Sequence, residues 1–502
     1  MAIERIVIVG GGTAGWMTAA ALSRVAQGND VTITLIESEM IGTVGVGEAT
    51  IPPFVEFNQL LGIDERELMA EAQASFKLGI QFVNWGKIGD SYIHPFGAYG
   101  YQMGGIAFHQ VWHRFRQAGD KRPIQVYNLE TMAAYFGKFL RTEDYNKRDD
   151  LPPINYAYHI DATRYAKFLR GYAEKRGVIR REGRVTDATI DGESGFVASV
   201  TMEDGEVIPG DLFVDCSGFR GLLIEQALHT GYEDWRHLLP CDRAVALPCE
   251  REDGSGPPPY TRATAHRAGW QWQVPLQTRN GNGHVYCSEH MSDDEALDIL
   301  VKNMAGKPAA EPNFLRFVTG RRKKFWNKNV VAIGLAAGFM EPLESTSIHL
   351  IHTGINKLIA VLSLDGITQT QEDSFNRLTA KEYNRIRDFL ILHYNATARD
   401  DSEFWNYVRT MPVPETLTEK IELFRANGQI FREEDELFTE TSWAAVMMGQ
   451  GIQMAGHNPV ADSMTPATIK GELDEMEKSI RFLVENMPLH GEYLAKYCPT
   501  RI

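Results

Sequence analysis

The stretch GGGTAG at residues 10–15 constrains the fold more than any other feature of this chain. It follows a β-branched run at residues 5–10, typical of a strand buried on both faces, and it precedes a small-residue segment typical of a helix. Between such elements, glycines allow a tight turn and let the backbone approach a phosphate, which the amide groups at the helix start then bind. The sequence therefore predicts a βαβ unit that binds a dinucleotide.

Glu37 supports this interpretation, because it ends the next predicted strand, where an acid accepts hydrogen bonds from an adenosine ribose. The pattern alone does not separate FAD from NAD. The nucleotide contacts that it predicts come from Gly10, Gly12, Thr13, Ala14, Gly15 and Glu37.

Charge and composition exclude several classes of protein. The 502 residues carry a formal net charge of −15 and are 43% hydrophobic, which indicates a globular protein without a basic surface for nucleic acid. No apolar run reaches the roughly 18 residues of a membrane helix, and no export signal is evident. The five cysteines have neither Cys-x-x-Cys nor zinc spacing. We therefore expect reduced thiols in a cytoplasmic protein, with no metal, no membrane and no nucleic-acid partner.

Two later stretches favour a flavin as the dinucleotide. In DLFVDCSG (211–218) and in NVVAIGLAAGFMEPLEST (329–346), a buried strand runs into a turn of small residues. Together with the first glycine turn, these segments would enclose a long cofactor from several directions. In the second stretch, Gly334 and Leu335 are the expected contacts.

Four further motifs carry a resemblance to a known family: GVGEATIP (45–52), SFKLGIQFVNW (75–85), GWQWQVP (269–275) and FMEPLEST (339–346). In their order and positions, the chain resembles the flavin-dependent tryptophan halogenases from residue 5 to about 360, and loosely over 400–502. The resemblance implies a fold of the FAD monooxygenase type, to which Gly47, Glu48 and Ala49 contribute flavin contacts. It also implies that FADH2 and O2 oxidise bromide or chloride to hypohalous acid, which halogenates an aromatic substrate.

The resemblance makes Lys77 and Glu344 the catalytic residues. An ammonium at Lys77 makes the halogen of hypohalous acid more electrophilic, whereas a neutral amine forms a haloamine, and the sequence leaves both modes open. Glu344 stabilises and deprotonates the cationic ring intermediate of electrophilic substitution. A helix is predicted to start directly after Glu344, so the negative charge of Glu344 also complements the dipole of that helix.

The helix start supplies a predicted halide site, formed by the free amide groups of Thr346 and Ser347. The family usually has glycine at the position of Ser347 and a bulkier aromatic residue at that of His349, which leaves the halide preference open. In the strand 269–275, Trp270 and Trp272 share one face. The resemblance places this face beside the flavin, where its bulk excludes an organic substrate and admits a halide.

The predicted substrate residues lie in two segments. His94 and Phe96, with Pro95 between them, match positions that sandwich the indole ring in the family, and Trp443 lies in TETSWAAVMMGQG (439–451). This second segment lacks the tyrosine pair that holds free tryptophan in the family, and its two methionines adapt to varied apolar guests. We therefore expect an indole-like aromatic without the amino-acid group, or a larger indole-bearing molecule, with free tryptophan as the second choice.

Two rival functions are a flavin hydroxylase, which oxygenates its substrate directly, and a non-catalytic flavin-binding protein. Leu335 argues against the hydroxylase, because such enzymes commonly carry Gly-Asp-Ala-Ala where this chain has Gly-Leu-Ala-Ala. The pair of Lys77 and Glu344 argues against the non-catalytic protein. No second dinucleotide fingerprint is visible for NAD(P)H, so we expect a separate flavin reductase as partner. The sequence leaves a homodimer open.

The predicted architecture is an α/β, FAD-binding Rossmann-like domain over residues 1–365, followed by a mostly helical substrate or lid region over 366–502. Irregular, aromatic substrate-side segments interrupt the first domain at about 90–150. Locally, we expect a helix at 64–76 that Asp64 caps, a hairpin reversal across 278–284, and a capping box between Ser292 and Glu295.

Overall fold

The predicted βαβ unit is present in the computed structural model, which describes residues 2–40, 47–144, 153–251, 254 and 256–501. Strand β1 (Arg5–Val9) leads into helix α1 (Thr13–Val25) and then into strand β2 (Thr32–Glu37), which pairs with β1 in parallel. In the turn after β1, Gly10 has a φ of +115°, and a Cβ there would lie 2.2 Å from the carbonyl oxygen of Cys216. Only glycine fits this turn.

The remaining strands and helices alternate over the first three quarters of the chain, and helices dominate after residue 366. The strands are β3 (Gly47–Ala49), β4 (Ser75–Lys77), β5 (Gly79–Val83), β6 (Ser91–Pro95), β7 (Ala157–Asp161), β8 (Ile179–Glu182), β9 (Val185–Ile190), β10 (Val197–Met202), β11 (Val207–Pro209), β12 (Leu212–Asp215), β13 (Tyr232–Asp234), β14 (Arg243–Ala246), β15 (Cys249–Glu250), β16 (Thr261–His266), β17 (Gly269–Pro275), β18 (Arg279–Tyr286), β19 (Asn313–Arg316), β20 (Gly320–Arg322), β21 (Trp326–Asn327), β22 (Val330–Ala332) and β23 (Gly338–Phe339). The helices are α2 (Pro53–Leu60), α3 (Glu65–Glu71), α4 (Phe108–Gln117), α5 (Leu129–Tyr135), α6 (Ala162–Glu174), α7 (Asp293–Asn303), α8 (Ser347–Val361), α9 (Gln369–Asn395), α10 (Glu403–Thr410), α11 (Glu415–Asn427), α12 (Glu440–Gly449), α13 (Pro466–Asn486) and α14 (His490–Tyr497).

Two large sheets carry the elements of interest. The first has the order β21-β22-β12-β1-β2-β8 and is parallel except at β21. Strands β1, β12 and β22 each run into a turn of small residues, as the sequence predicts, and parallel strands bring these turns to one edge. The second sheet has the order β19-β14-β18-β17-β16-β5-β6, with β15 paired to β18. Three smaller sheets have the orders β3-β7-β4, β11-β10-β9 and β13-β20-β23.

Two predictions about the first half of the chain are wrong in extent. The helix predicted over 64–76 ends at Glu71, because Gln73 adopts a left-handed φ of +50° and the chain then enters β4. Asp64 does cap this helix, since its side chain accepts a hydrogen bond from the Glu67 amide. The segment predicted to be irregular at about 90–150 is more regular over its described residues, 90–144, because they contain β6, α4 and α5. Residues 145–150 of that prediction lie outside the described part of the chain.

The predicted hairpin forms between β17 and β18, but its reversal is shorter than expected. Because β18 begins at Arg279, the chain turns at 276–278, and the glycines that suggest a longer turn lie in the strand. Gly283 is one of them: a Cβ there would lie 2.1 Å from the Trp272 indole. The glycine therefore makes room for a tryptophan across the strand pair.

The predicted capping box between Ser292 and Glu295 is only half present. Ser292 caps helix α7 by accepting from the Glu295 amide. The Glu295 carboxylate does not reach back, because it pairs with Arg267 at 2.7 Å.

All five cysteines are buried and free. Within the described residues, no helix combines the length and the apolarity that crossing a membrane requires.

Candidate active site

The predicted nucleotide contacts gather at the edge of the parallel sheet. Helix α1 has Thr13, Ala14 and Gly15 in its first turn, and its N-cap, Gly12, adds no side-chain hydrogen bond. A Cβ on Gly12 would meet no atom within 4 Å, whereas a Cβ on Gly11 would lie 1.8 Å from Glu37 Oε2. The turn therefore has uncapped amide groups, open space beside them and an acid at its rim, which suits a diphosphate and a ribose.

The second small-residue turn lies against the same helix. A Cβ on Gly334 would be 2.7 Å from the Cβ of Ala14, and Leu335 follows in this turn, half-buried. Glu37 also accepts a hydrogen bond from the Trp16 indole at 3.0 Å and pairs with Arg180. The structure thus brings together the predicted contacts from three separate stretches of sequence.

Strand β3 connects the aromatic strand β17 with Lys77. Gly47 faces β17, because a Cβ on Gly47 would lie 3.2 Å from the Val274 side chain. After Ala49, the carbonyl oxygen of Thr50 accepts a hydrogen bond from Lys77 Nζ at 2.9 Å. Glu48 lies between them, half-buried, and desolvation raises its pKa to about 7. Gly45 and Val46 of the same motif lie outside the described residues.

Trp270 and Trp272 lie buried on one face of β17, with their ring centroids 6.2 Å apart. The Trp270 indole donates to Glu341 Oε2 at 2.6 Å, and the Tyr394 hydroxyl donates to the same oxygen at 2.6 Å. Val274 follows along the strand and contacts the segment that begins at Gly47. The aromatic face therefore runs from Glu341 towards β3.

Lys77 is fully buried at the end of β4. Its Nζ donates to Thr50 O and, at 2.8 Å, to Ser345 Oγ, and it lies 5.0 Å from the centroid of the Phe96 ring. Burial lowers the pKa of Lys77 to about 7, although the nearby Glu344 carboxylate opposes this shift. A lysine is almost never buried without a partner, so this position is a strong functional candidate.

Glu344 is buried between two imidazoles. His94 Nδ1 lies 2.9 Å from its carboxylate, and His393 Nε2 lies 2.8 Å from it on the other side. Burial alone would raise the pKa of Glu344, but these two histidines lower it to about 2. Glu344 is therefore ionised at any ordinary pH. Because Ser345 contacts Lys77, one dipeptide links the predicted catalytic pair.

Helix α8 begins at Ser347, with Thr346 as its N-cap. Thr346 is fully buried, and its hydroxyl has no hydrogen-bond partner among the residues that the structure describes. Ser347 is half-buried. Free amide groups at the start of a long helix, next to an unpartnered buried hydroxyl, suit a small anion.

Two of the predicted substrate residues, His94 and Trp443, lie in one aromatic cluster. His94 and Pro95 end strand β6, and Phe96 follows them beside Lys77. The His94 ring lies 5.7 Å from the ring of Phe389, which lies 4.8 Å from that of Trp443. Trp443 is buried, and its indole nitrogen has no hydrogen-bond partner within the described ranges.

The sequence alone does not identify five residues of this site: Thr50, Glu341, Ser345, Phe389 and His393. A signal for two of them exists, because Phe389 and His393 are four residues apart on a predicted helix and so share a face. Thr50 acts through its carbonyl oxygen, which no sequence pattern marks. Glu341 and Ser345 belong to the FMEPLEST motif without standing out in it.

Comparisons with known proteins agree with this geometry. The sequence model of the tryptophan halogenase family matches residues 5–466. The chain belongs to this family. It is 36% identical to the tryptophan 6-halogenase SttH of Streptomyces toxytricini, and the similarity covers 98% of both proteins.

Two solved structures are more similar to this halogenase. Xcc4156, a flavin-dependent halogenase from Xanthomonas campestris, is 45% identical with a TM-score of 0.96, covering 100% of this chain and 99% of its own. BrvH, a flavin-dependent halogenase from Brevundimonas sp. BAL3, is 46% identical with a TM-score of 0.94, covering 99% of each chain. These findings confirm the family resemblance and the α/β fold class. The chain is an enzyme, a flavin-dependent halogenase.

Proposed function

We propose that this halogenase uses FADH2, O2 and a halide to halogenate an indole-like aromatic, with hypohalous acid directed by Lys77 and Glu344. One observation carries the proposal: buried Lys77 donates to Ser345 Oγ at 2.8 Å, next to a Glu344 that two histidines hold ionised. A buried cation and a buried anion are thereby presented together to one aromatic cluster.

The residues at the two small-residue turns fit a flavin dinucleotide. The amide groups after Gly12 would hold the diphosphate, and Glu37 the adenosine ribose. The remaining contacts would come from Gly47, Glu48, Ala49, Gly334 and Leu335. Bound reduced flavin, together with O2, supplies the oxidising power that converts a halide to hypohalous acid. A separate flavin reductase provides the reduced flavin, since the sequence has no second dinucleotide fingerprint.

Lys77 receives the hypohalous acid. Thr50 O and Ser345 Oγ take two of the directions around its nitrogen. The remaining direction presents an N–H when Lys77 is an ammonium and a lone pair when it is an amine. A pKa of about 7 populates both forms near neutral pH, so pH rather than geometry separates the two chemical modes.

Glu344 accepts the proton that the substituted ring releases. A protonated arene is a far stronger acid than any carboxylic acid, so a base with a pKa of about 2 is strong enough for this step. The low pKa also keeps the negative charge in place before the ring cation forms, which is the condition for electrostatic stabilisation in a dry site.

Trp270 and Trp272 separate the flavin side from the substrate side. Their buried rings lie on the strand that contacts β3, so bulk at this point would stop an organic substrate and allow a small oxidant to pass. Direct hydroxylation is disfavoured by this barrier. Thr346 and Ser347 would hold the halide. We propose that bromide is accepted alongside chloride, because Ser347 and His349 replace the glycine and the bulkier aromatic residue usual in the family and so reshape this helix start.

The substrate residues favour an indole-like aromatic. His94, Phe96 and Trp443 supply aromatic faces, and the methionines after Trp443 supply an adaptable apolar wall. Free tryptophan is the second candidate, since the relative SttH is a tryptophan 6-halogenase.

The test combines purified protein, FAD, a flavin reductase, NADH, indole and either bromide or chloride, with products read by mass spectrometry. We expect halogenated indole from the wild type and none from Lys77→Ala, although that variant still binds FAD. Lys167→Ala, which changes an exposed lysine on α6, should keep full activity. Oxygenated indole without halide dependence would indicate a hydroxylase. Halogenation of tryptophan in preference to indole would favour free tryptophan as the substrate. A Lys77→Ala variant that still halogenates would show that Lys77 is not part of the mechanism.

A further inference from the structure

A turn directly after strand β18 brings together three side chains of the kind that bind metal ions. Cys287, Glu289 and His290 each offer one ligand atom, and these three atoms all lie within 4.8 Å of one another. A tetrahedral zinc ion holds its ligand atoms about 3.5 Å apart, so small side-chain rotations would bring all three onto one ion. The cysteine is buried, the histidine is half-buried and the glutamate is exposed. The group therefore lies at the protein surface, with its thiol shielded from solvent.

Hydrogen bonds of other groups hold this turn in place. The Cys287 amide donates to the carbonyl oxygen of Ala268 at 3.0 Å, and the His290 amide donates to the Cys287 carbonyl oxygen at 3.0 Å. The Asp242 carboxylate accepts from the Ser288 amide at 2.8 Å and from the Ser288 hydroxyl at 2.7 Å. None of these bonds involves the three candidate ligand atoms. The backbone is thus fixed independently of the ligands, which preorganises a site.

The spacing of Cys287 and His290 follows from this turn. A hydrogen bond between residues three apart closes a β-turn, which brings their Cα atoms within about 7 Å of each other. Two intervening residues also separate the ligand pairs of many zinc sites. The sequence-based expectation of no metal rests on the spacing of cysteine pairs. It does not extend to a group in which one cysteine is combined with a histidine and a glutamate.

A surface cavity of about 430 Å³ borders the turn. Its walls include Cys287, Glu289, Asp242 and an ion pair between Arg236 and Asp234. Because the ion pair is neutral, Asp242 and Glu289 give the cavity a net negative charge, which attracts cations. The cavity also gives water access to an ion held at the turn.

The chemistry of the three groups selects the ion. Thiolate and imidazole are ligands that zinc prefers, whereas Mg²⁺ and Ca²⁺ bind oxygen atoms. We propose that Cys287, Glu289 and His290 bind Zn²⁺, with water from the cavity in the fourth coordination position. The thiol releases its proton to solvent on coordination. The proposal is independent of the proposed halogenation chemistry, because none of these residues is assigned to the flavin, the halide or the aromatic substrate.

Cobalt reports directly on the thiol ligand. The untagged full-length protein is kept reduced and is titrated first with Co²⁺ and then with Zn²⁺. A thiolate ligand gives Co²⁺ a charge-transfer band in the near ultraviolet, which carboxylates and imidazoles alone do not produce. We expect this band to saturate at one Co²⁺ per chain and to disappear when Zn²⁺ replaces the cobalt. Because an ion that binds only the folded state stabilises it, Zn²⁺ should also raise the Tm.

Three variants identify the ligands. Cys287→Ser should abolish the charge-transfer band and the Tm increase, whereas Cys498→Ser, at another buried cysteine, should keep both. Glu289→Gln changes an exposed residue and keeps the thiol, so it should fold and bind Co²⁺ roughly tenfold more weakly or worse, since even indirect partners of a metal contribute this much.

Co²⁺ binding without the charge-transfer band, or a band that persists in Cys287→Ser, would overturn the zinc site. If Cys287→Ser does not fold, an unchanged Co²⁺ affinity in Glu289→Gln would overturn it instead. No halogenation is measured in these titrations, so a failure of the proposed function would leave their result standing.

Discussion

Ser345 Oγ lies 2.8 Å from Lys77 Nζ, although the two residues are 268 positions apart in the chain. Ser345 is buried and has a φ of +59°, in the left-handed region that residues with a Cβ rarely adopt. This conformation turns the chain between the 3₁₀ turn Pro342–Glu344 and helix α8. The turn directs the hydroxyl to the lysine and Glu344 to the histidines, so the backbone strain belongs to the predicted catalytic arrangement.

Two substitutions of Ser345 distinguish the effect of its hydroxyl group from the effect of its strained backbone. Ser345→Ala and Ser345→Gly both remove the hydrogen bond to Lys77, worth about 1.5–3 kcal/mol for a charged donor, and we expect both to lower the halogenation rate about tenfold. Glycine also relieves the left-handed backbone, so Ser345→Gly should be more stable than Ser345→Ala by about 1 kcal/mol. Thermal unfolding and product formation measure the two effects. A fully active Ser345→Ala would show that Ser345 does not orient Lys77.

The buried charge of Lys77 should lower the free energy of unfolding, and the size of this effect should depend on pH. Its pKa is about 7 in the folded protein and 10.5 in the unfolded chain, so folding is penalised fully below pH 7, and the penalty is lost as pH rises towards 10.5. The penalty is on the order of 5 kcal/mol. Lys77→Met should therefore abolish halogenation, and its Tm relative to the wild type should fall between pH 7 and pH 10. Lys167→Met, at an exposed site, should show no such trend. A pH-independent difference for Lys77→Met would contradict the lowered pKa.

The pH profile of the wild type distinguishes the two modes of Lys77. We expect the ammonium mode, in which the yield of halogenated product per NADH falls as pH rises through about 7. A yield that rises over this range would indicate the haloamine mode. Hypohalous acids also ionise, but hypobromous acid is weaker than hypochlorous acid. A limb that arises from Lys77 should therefore lie at the same pH with bromide and with chloride, whereas a limb from the oxidant should move with the halide.

Local pattern predicts the nucleotide part of this fold, because the glycine turn, its strand and its helix are neighbours in sequence. In the hairpin between β17 and β18, local pattern does not predict the structure. Its NGNG run is typical of a turn, yet Gly283 lies inside the strand, where the Trp272 ring occupies the space of a side chain. Packing against the residue opposite on the paired strand decides the structure there, and the local pattern around Gly283 does not indicate it.

The candidate site was predictable only in part for the same reason. The family resemblance identifies Lys77 and Glu344, but the alternation of residues in a strand leaves a lysine facing either a cavity or water. Full burial of Lys77 depends on acceptors from Thr50 and Ser345, which the fold brings together from separate segments. His393 lies on a helix whose pattern gives a shared face with Phe389 and no information about the carboxylate that this face meets.

Glu341 should make the proposed barrier of Trp270 and Trp272 sensitive to pH. Burial raises the pKa of Glu341 from 4.5 to about 7, and its Oε1 has no hydrogen-bond partner among the described residues, which leaves this oxygen free to carry the proton. The folded protein therefore holds a proton that the unfolded chain releases near pH 4.5. Stability due to this group falls as pH rises from about 4.5 to about 7, by about 3 kcal/mol, and changes little above that.

Glu341→Gln keeps a carbonyl oxygen for Trp270 and Tyr394 and removes the titration. Its Tm relative to the wild type should therefore increase from pH 5 to pH 7 and level off at higher pH, while the Trp270 contribution to fluorescence loses its pH dependence. Glu341→Leu removes the acceptor as well, so both buried donors lose their partner, at a cost of about 1–3 kcal/mol each at every pH. A parallel shift of Glu341→Gln at all pH values would mean that Glu341 stays ionised when folded, and that a permanent charge holds Trp270 in the proposed barrier.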